Sequence, residues 1–429
     1  MATLLMVESW VGAAGQALPR RIIDRNHDYV LVTRDPGLYP ATAIGTAHPA
    51  IDHADEVVVT ETNDLAGLLD TAASIAARRP IDGVLTTCDY YLVAAAAIGE
   101  RLGLPAAPVQ AMRTATRKDL VRASVAAAGL PNPRYAVAQG WDDARIAAAA
   151  LGYPLVAKPV DLNAGSGVRL VTDEAALKDA VGEIHSATTN TRGQALQRLV
   201  LLEEQMTGTE VSVETVTHTG RTTILAVTDK SVTAAPAFVE SGHMVPAQLD
   251  PSDTTAACDL AARALDAVGL THGISHVEVM ITPDGPRIVE INPRQGGGHI
   301  FELVELVTGT HPLDVLIDLA LDIGITARPG PRPTAPSAAI MFVLSPEPGM
   351  VVAVEGAHHL DTDRGIIRWE LPTPATARPP VDNDAYLGHV IAVGNGQRDA
   401  RKRAETALAT IRLVLADGRR LRPLGIPSS

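Results

Sequence analysis

Short apolar runs alternate with amphipathic, alanine-rich stretches over the first hundred residues. Leu4 to Val7, Tyr29 to Val32, Glu56 to Val59 and Gly83 to Leu85 read as strands, with helical runs such as Asp64 to Arg78 and Leu92 to Leu102 between them. That alternation predicts a parallel sheet covered by helices. Gly12 and Gly15 follow the first strand, but their spacing is not G-x-G-x-x-G. A tight strand-to-helix turn explains them as well as a nucleotide loop does.

Farther along, Ala111 to Gly129 reads as one helical segment, closed by Gly129-Leu130-Pro131. Tyr153 to Val239 reads mostly as strands, with turns at Asn163–Gly167, Gly208 and Gly220. Two proline-rich stretches follow: Ala327 to Pro336, a linker, and Pro372 to Pro380, a loop inside the last domain. Gln397 to Leu415 reads as a closing helix rich in Arg and Ala.

The pattern is most informative from His276 to Arg294. Pro283-Asp284-Gly285 is a turn signal between two apolar-rich runs, which makes a β-hairpin. With the turn centred near Asp284, Glu278 and Glu290 face each other with Cβ atoms about 5 Å apart. Two bare carboxylates at that range repel by roughly 3 kcal/mol at an effective dielectric near 20. Period-two alternation adds Asn292 to the same face. Two carboxylates and an amide oxygen form a hard-oxygen set suited to Mg²⁺. The competing reading is a surface hairpin whose glutamates face water, and a bulge would shift the register by one.

Other segments carry candidate chemistry. Pro154 to Pro159 is an apolar strand with Lys158 inside it, and a buried ammonium must meet an anion. Asn163-Ala-Gly165-Ser166-Gly167 follows directly, a glycine loop whose backbone N–H groups can cradle phosphate. Glu203-Glu204-Gln205-Met206 precedes Gly208, and Glu210, Ser212 and Glu214 alternate with apolar residues beyond it.

This order of lysine, lysine strand with glycine loop, acidic hinge and paired carboxylates with Asn resembles the ATP-grasp superfamily over roughly Thr114 to Thr308. The resemblance implies an α/β and α+β fold: an N-terminal parallel-sheet domain over residues 1–113, an ATP-grasp domain over 114–328 with its lid at about 121–202, and a C-terminal α+β domain over 329–429. It further implies that Lys118 and Lys158 hold ATP phosphates beneath Gly165, Ser166 and Gly167. Glu203 would meet the adenine amino group, the backbone of Glu204, Gln205 and Met206 would line the adenine slot, and Glu210 would bind ribose. Glu278 and Glu290 would bind magnesium, with Glu290 bridging two ions and Asn292 on the second; Mn²⁺ is the alternative metal.

Arg294 stands beside that metal set, suited to a developing oxyanion. Gly296, Gly297 and Gly298 leave room for a second substrate, and Glu240 and His243 could receive an α-amino group. Glu-x-x-His followed by Pro, with Asn-Pro-Arg and a glycine run, resembles the L-amino acid ligases, which join two unprotected amino acids. Lys230 is a further candidate contact to phosphate, and His299 stands where pockets of this branch vary. The implied activity is an ADP-forming, ATP- and Mg-dependent carboxylate–amine ligase working through an acyl phosphate. Alternatives are a purine-pathway or biotin-carboxylase-like ligase, or a non-catalytic nucleotide-binding protein.

Composition narrows the partners. Hydrophobic content of 46% and charged content of 20% fit a folded protein. A net charge of −13 argues against a general nucleic-acid binder. No run of apolar residues is long enough to span a membrane, and the two cysteines, Cys88 and Cys258, fit a reducing cytoplasm. The expected partners are a small-molecule carboxylate and an amine, with a homodimer implied by the resemblance.

Overall fold

The computed structural model describes residues 1–41, 45–233, 239–324, 333–371, 373–381 and 385–424. The linker expected from Ala327 to Pro336 falls partly outside the described residues, as do Phe238 and Pro372.

The chain opens with β1 (Thr3–Val7), α1 (Ala13–Asp24), β2 (Asp28–Thr33), α2 (Pro49–Asp52), β3 (Glu56–Val59), α3 (Leu65–Arg78), β4 (Gly83–Leu85) and α4 (Leu92–Leu102). The strands form a parallel sheet in the order β3-β2-β1-β4, as the alternation predicts. Both faces are covered. Leu4 and Met6 pack with Leu18 and Ile22 on one side, while Leu5 and Val7 pack with Leu68 and Ile98 on the other. The direction of strand addition reverses between β1 and β4, so a crevice opens at their carboxyl ends.

The expected single helix from Ala111 to Gly129 is two, α5 (Val109–Ala115) and α6 (Lys118–Ala127). Arg117 is extended between them, and the first amide of α6 donates to Val160 O at 3.0 Å.

A small sheet subdomain follows: β5 (Tyr135–Ala138), α7 (Trp141–Leu151), β6 (Leu155–Pro159), β7 (Arg169–Val171), α8 (Glu174–Ser186) and β8 (Val200–Glu204), with strand order β5-β8-β6-β7. Helix α8 lies in a stretch that reads mostly as strand. Its buried Leu177, Ala180, Val181 and Ile184 have helical spacing, and Asp173 caps it through Ala176 N, so the helical period prevails.

The central body comprises β9 (Thr209–His218), β10 (Arg221–Val232), β11 (Glu240–Val245), α9 (Pro251–Ala267), β12 (Gly273–Thr282), β13 (Gly285–Asn292), α10 (Ile300–Thr308) and α11 (Pro312–Ala320). The last region holds β14 (Ser337–Phe342), β15 (Gly349–Glu355), β16 (Ile366–Glu370), β17 (Ala375–Ala377), β18 (His389–Gly394), α12 (Asp399–Thr410), β19 (Arg412–Leu415) and β20 (Arg420–Leu421). One eight-stranded sheet, β13-β12-β9-β10-β11-β14-β18-β16, runs through both regions. A four-stranded sheet, β17-β15-β19-β20, closes the end.

Two expectations change here. The proline-rich loop carries β17, paired with β15 through Ala375↔Val351. The closing helix stops at Thr410, because Leu413 and Leu415 bury their side chains as the alternate residues of a strand.

Candidate functional site

The hairpin falls in the expected register: Glu278 pairs with Glu290 and His276 with Asn292, with a bulge only after Glu278. On its other edge β12 pairs with β9, setting His276 beside Glu214 and Glu278 beside Ser212. β10 then sets Thr228 against Ser212, and Lys230 lies opposite His243 of β11. Period-two alternation on neighbouring strands thus gathers one polar floor on an otherwise apolar sheet.

The repulsion between the facing glutamates is met by separate lysines. Lys118 Nζ lies 2.9 Å from Glu290 Oε1, and Lys230 Nζ lies 3.0 Å from Glu278 Oε1. Lys230 is buried and also reaches Glu210 at 2.6 Å and Glu240 at 3.0 Å. All three of its donors therefore face carboxylates, an internal partner set with which a phosphate would have to compete. Burial alone would lower the Lys230 ammonium, yet Glu210, Glu278 and Glu240 together hold its pKa well above the ordinary value. Burial would raise the Glu240 pKa, but Lys230 and His243 hold it well below.

His276 extends this network. Its Nδ1 is 2.9 Å from Glu214 Oε1 and its Nε2 is 3.3 Å from Glu278 Oε1. Glu214 is buried and also accepts from Ser212 at 2.7 Å and Thr228 at 3.1 Å. Burial opposes charge on the imidazole, but Glu214 and Glu278 outweigh it and raise His276 to about 9. Sequence reading passed over His276 as a participant. Its alternation with Glu278 on one strand was the available signal.

The hinge forms a second buried cluster. Glu203 lies next to the end of β8, with one carboxylate oxygen paired to Arg122 and the other 2.7 Å from Lys158 Nζ. Arg122 also donates to Ile288 O at 2.8 Å and Val289 O at 2.7 Å, tying α6 to β13. Both oxygens of the Glu203 carboxylate are engaged and the side chain is buried, so an adenine amino group would share an oxygen that is already paired. Against the effect of burial, the two cations hold Glu203 down to about 2. Lys158 moves the opposite way from a simple ion pair: burial lowers it more than Glu203 raises it, and Arg122 repels it across the shared carboxylate. Arg122 was also missed. It stands one helical turn from Lys118, which puts the two on one face of α6.

Glu204 turns away, accepting from Arg134 Nε and Arg287 Nη1, each at 2.8 Å. Gln205 and Met206 follow it, half-buried. The glycine loop joins β6 to β7, with Gly165 and Gly167 both at φ +71°. Ala164, Gly165 and Ser166 are exposed.

A cavity of ≈ 300 Å³ lies between the N-terminal sheet, α6, the small subdomain and β13. Lys118, Asp161, Asn163, Glu290, Asn292 and Asp89 are on its wall. Arg294 leaves β13 beside it, its Nη1 donating to Gln295 O at 2.7 Å and its Nη2 lying 3.5 Å from Asn292 Oδ1, while its Nε pairs with Asp89.

Glu240, His243, Gly297 and Gly298 form an adjoining group. His243 Nε2 is 3.4 Å from Glu240 Oε2. Gly298 has φ +54°, and a Cβ there would come within 2.9 Å of both His243 Nε2 and Phe342 Cζ. Only glycine fits that approach. His299 turns instead toward the last region, 2.9 Å from Glu302 and with its ring 4.5 Å from that of His389.

Among the described residues no three His, Cys, Asp or Glu side chains gather as a metal cage, and no helix is long and apolar enough to cross a membrane.

A profile of the ATP-grasp domain matches residues 151–302, and one of the ATP-grasp N-terminal domain matches residues 24–106. The chain belongs to the ATP-grasp superfamily. The last part of this ATP-grasp chain, residues 341–416, matches L-amino acid ligase C-terminal domain 2. Carnosine synthase 1 of Gallus gallus is 32% identical over 308 residues, 67% of this chain but only 32% of that protein. Alanine–anticapsin ligase of Bacillus subtilis (strain 168) is 25% identical over 254 residues, 56% of this chain and 53% of that one. The chain thus spans about a third to a half of the length of these curated relatives. An L-amino acid ligase from Bacillus licheniformis superposes with a TM-score of 0.79 at 20% identity, covering 97% of this chain and 99% of the other, a likeness of fold.

Proposed function

We propose that this ATP-grasp protein activates the carboxylate of an amino acid with Mg-ATP and joins it to a second amino acid or another amine, releasing ADP and phosphate. The observation that carries the reading is the facing pair Glu278 and Glu290, with Asn292 and Arg294 on the same strand and its exit, beside a cavity that Lys118 also lines. The similarity of residues 341–416 to the L-amino acid ligase domain supports amino acids as the substrate class.

The donor set fits magnesium. Each glutamate has one oxygen held by a lysine, the Oε2 atoms take no hydrogen bond among the described residues, and Asn292 Oδ1 has only the long contact to Arg294. Glu278, Glu290 and Asn292 would hold the ion, two ions if Glu290 bridges, and Mn²⁺ would satisfy the same oxygens. When bound, the metal neutralises charge on the transferring phosphoryl group.

Lys118 and Lys158 supply cations for the phosphates, and the exposed glycine loop supplies backbone N–H groups above them. A carboxylate oxygen of the first substrate attacks the γ-phosphorus. The bond from that phosphorus to the β,γ-bridging oxygen breaks, ADP leaves, and an acyl phosphate remains. The amine nitrogen of the second substrate then attacks the acyl carbon. The bond to phosphate oxygen breaks, and the nitrogen's proton leaves with the phosphate. Arg294 stabilises the oxyanion of the tetrahedral intermediate. Glu240 and His243 serve the α-amino group of a substrate, and Glu210 the ribose. The reading includes boundaries near residues 113 and 328, a cytoplasmic setting in keeping with two free cysteines, and a homodimer.

A screen of amino acids with Mg-ATP, reading ADP release and trapping the activated acid as a hydroxamate, tests the proposal. At least one acid should give both products. If no carboxylic acid of any class gives ADP or hydroxamate, the ligase reading fails.

A further inference from the structure

Arg294 does not stand by itself at the end of β13. Its Nε pairs with Asp89 Oδ1, and the other oxygen of that carboxylate accepts from Trp10 Nε1 at 2.7 Å. Asp89 follows β4 and Trp10 follows β1. These strands are neighbours, and the strand order reverses between them, so both residues stand at the switch-point crevice of the N-terminal sheet.

Trp10 is itself fixed on several sides. Its backbone amide donates to Thr87 Oγ1 at 2.9 Å, and that hydroxyl lies 2.8 Å from Ser9 Oγ. Tyr90 meets its ring edge-on at 5.6 Å. Arg192, from the segment between α8 and β8, stacks its guanidinium 5.3 Å from the indole centroid and donates to Ser9 O at 2.6 Å.

We propose that Asp89, seated on the Trp10 indole, is the positioning residue for Arg294, so that the N-terminal sheet aims the arginine contributed by the ATP-grasp hairpin. A guanidinium offers five donors in a rigid plane, and clamping Nε fixes the azimuth of that plane. Nη1 is spent on Gln295 O, which leaves the Nη2 edge toward Asn292 and the cavity wall. An arginine paired with a carboxylate on one edge and open on the other is pre-organised for an oxyanion.

This inference rests on the oxyanion role given to Arg294 above, and two readouts separate the two claims. In the first, Asp89→Asn should lower kcat for amide formation about tenfold to a hundredfold, with the affinity for a non-hydrolysable ATP analogue changed by no more than about twofold. Trp10→Phe keeps an aromatic ring but removes the N–H that Asp89 accepts from, so it should give a smaller loss of the same kind. In an Arg294→Lys background, Asp89→Asn should add little, because the group it aims is gone. A full, additive loss in that background would overturn the inference, as would an unchanged kcat in Asp89→Asn alone.

The second readout needs no turnover. Phenylglyoxal labelling of Arg294, followed by peptide mass spectrometry, should be several-fold faster in Asp89→Asn than in the wild type, with unchanged circular dichroism and melting temperature. Equal labelling rates overturn the positioning role. If the wild type makes no ADP with any acid, the ligase reading fails, and the labelling still decides the inference.

Discussion

Two clusters in this molecule are built from the same parts, a glutamate and basic side chains, and they do opposite things with them. At the hinge, Glu203 is enclosed by Arg122 and Lys158, and Arg122 also donates to the carbonyls of Ile288 and Val289 and to Asn132 Oδ1. On the floor, Glu290 meets Lys118 through one oxygen only and faces a cavity. In the first the carboxylate is saturated and holds elements together, while Lys158 gives it one donor of three. The second keeps capacity in reserve, as a site must if it is to receive a charged ligand. The lesson is that an ion pair is assigned by what its atoms have left over, not by the residue types in it.

The sharpest way to break that contrast is Glu290→Ala. It should abolish ADP formation, by roughly a thousandfold or more, with the melting temperature nearly unchanged. Measured kcat and thermal unfolding check both halves; an active variant would remove the floor from the mechanism. Arg122→Met should behave in the reverse sense, destabilising the fold by about 3–5 kcal/mol because Glu203 and Lys158 are left buried without it. Urea unfolding would read that loss, and an unaltered midpoint would show that the hinge cluster is not structural.

The smallest of the expected effects is in pH. The folded-state pKa of Glu203 is held at about 2, below its ordinary value, so its contribution to stability is complete above the unfolded carboxylate range and is lost as pH falls toward about 2. Unfolding between pH 5 and pH 2 should therefore be shallower in Glu203→Gln than in the wild type. An identical acid limb in the two proteins would contradict the pairing.

The floor was more legible in the sequence than the hinge, for a physical reason. Facing residues of a hairpin are fixed by one turn and a period of two, so Glu278, Glu290 and Asn292 could be brought together from spacing alone. The hinge joins Arg122 on a helix to Glu203 on a strand of a different subdomain, and no local periodicity relates them. The same holds for Asp89 and Arg294, which follow strands of different sheets. The carboxylate partners of Lys230 were not legible, because a lysine on a polar strand face signals an anion without saying whether the anion is a ligand or the protein's own carboxylates. Helix α8 was lost because an alanine-rich run with polar interruptions also satisfies a loose strand pattern. The N-terminal strands, by contrast, were legible almost to the residue, since a doubly covered parallel sheet writes itself as unbroken apolar runs.

The eight-stranded sheet has a consequence for anyone who wishes to recombine this protein with others. β11 hydrogen-bonds to β14 through four successive residue pairs, so the proline-rich stretch that reads as a linker separates two adjacent strands of one sheet. A chimera joined there would inherit half a sheet from each parent and ask two unrelated edges to match. The smaller sheet offers no simpler seam, because β16 and β18 of the large sheet lie in the chain between its own strands β15, β17 and β19.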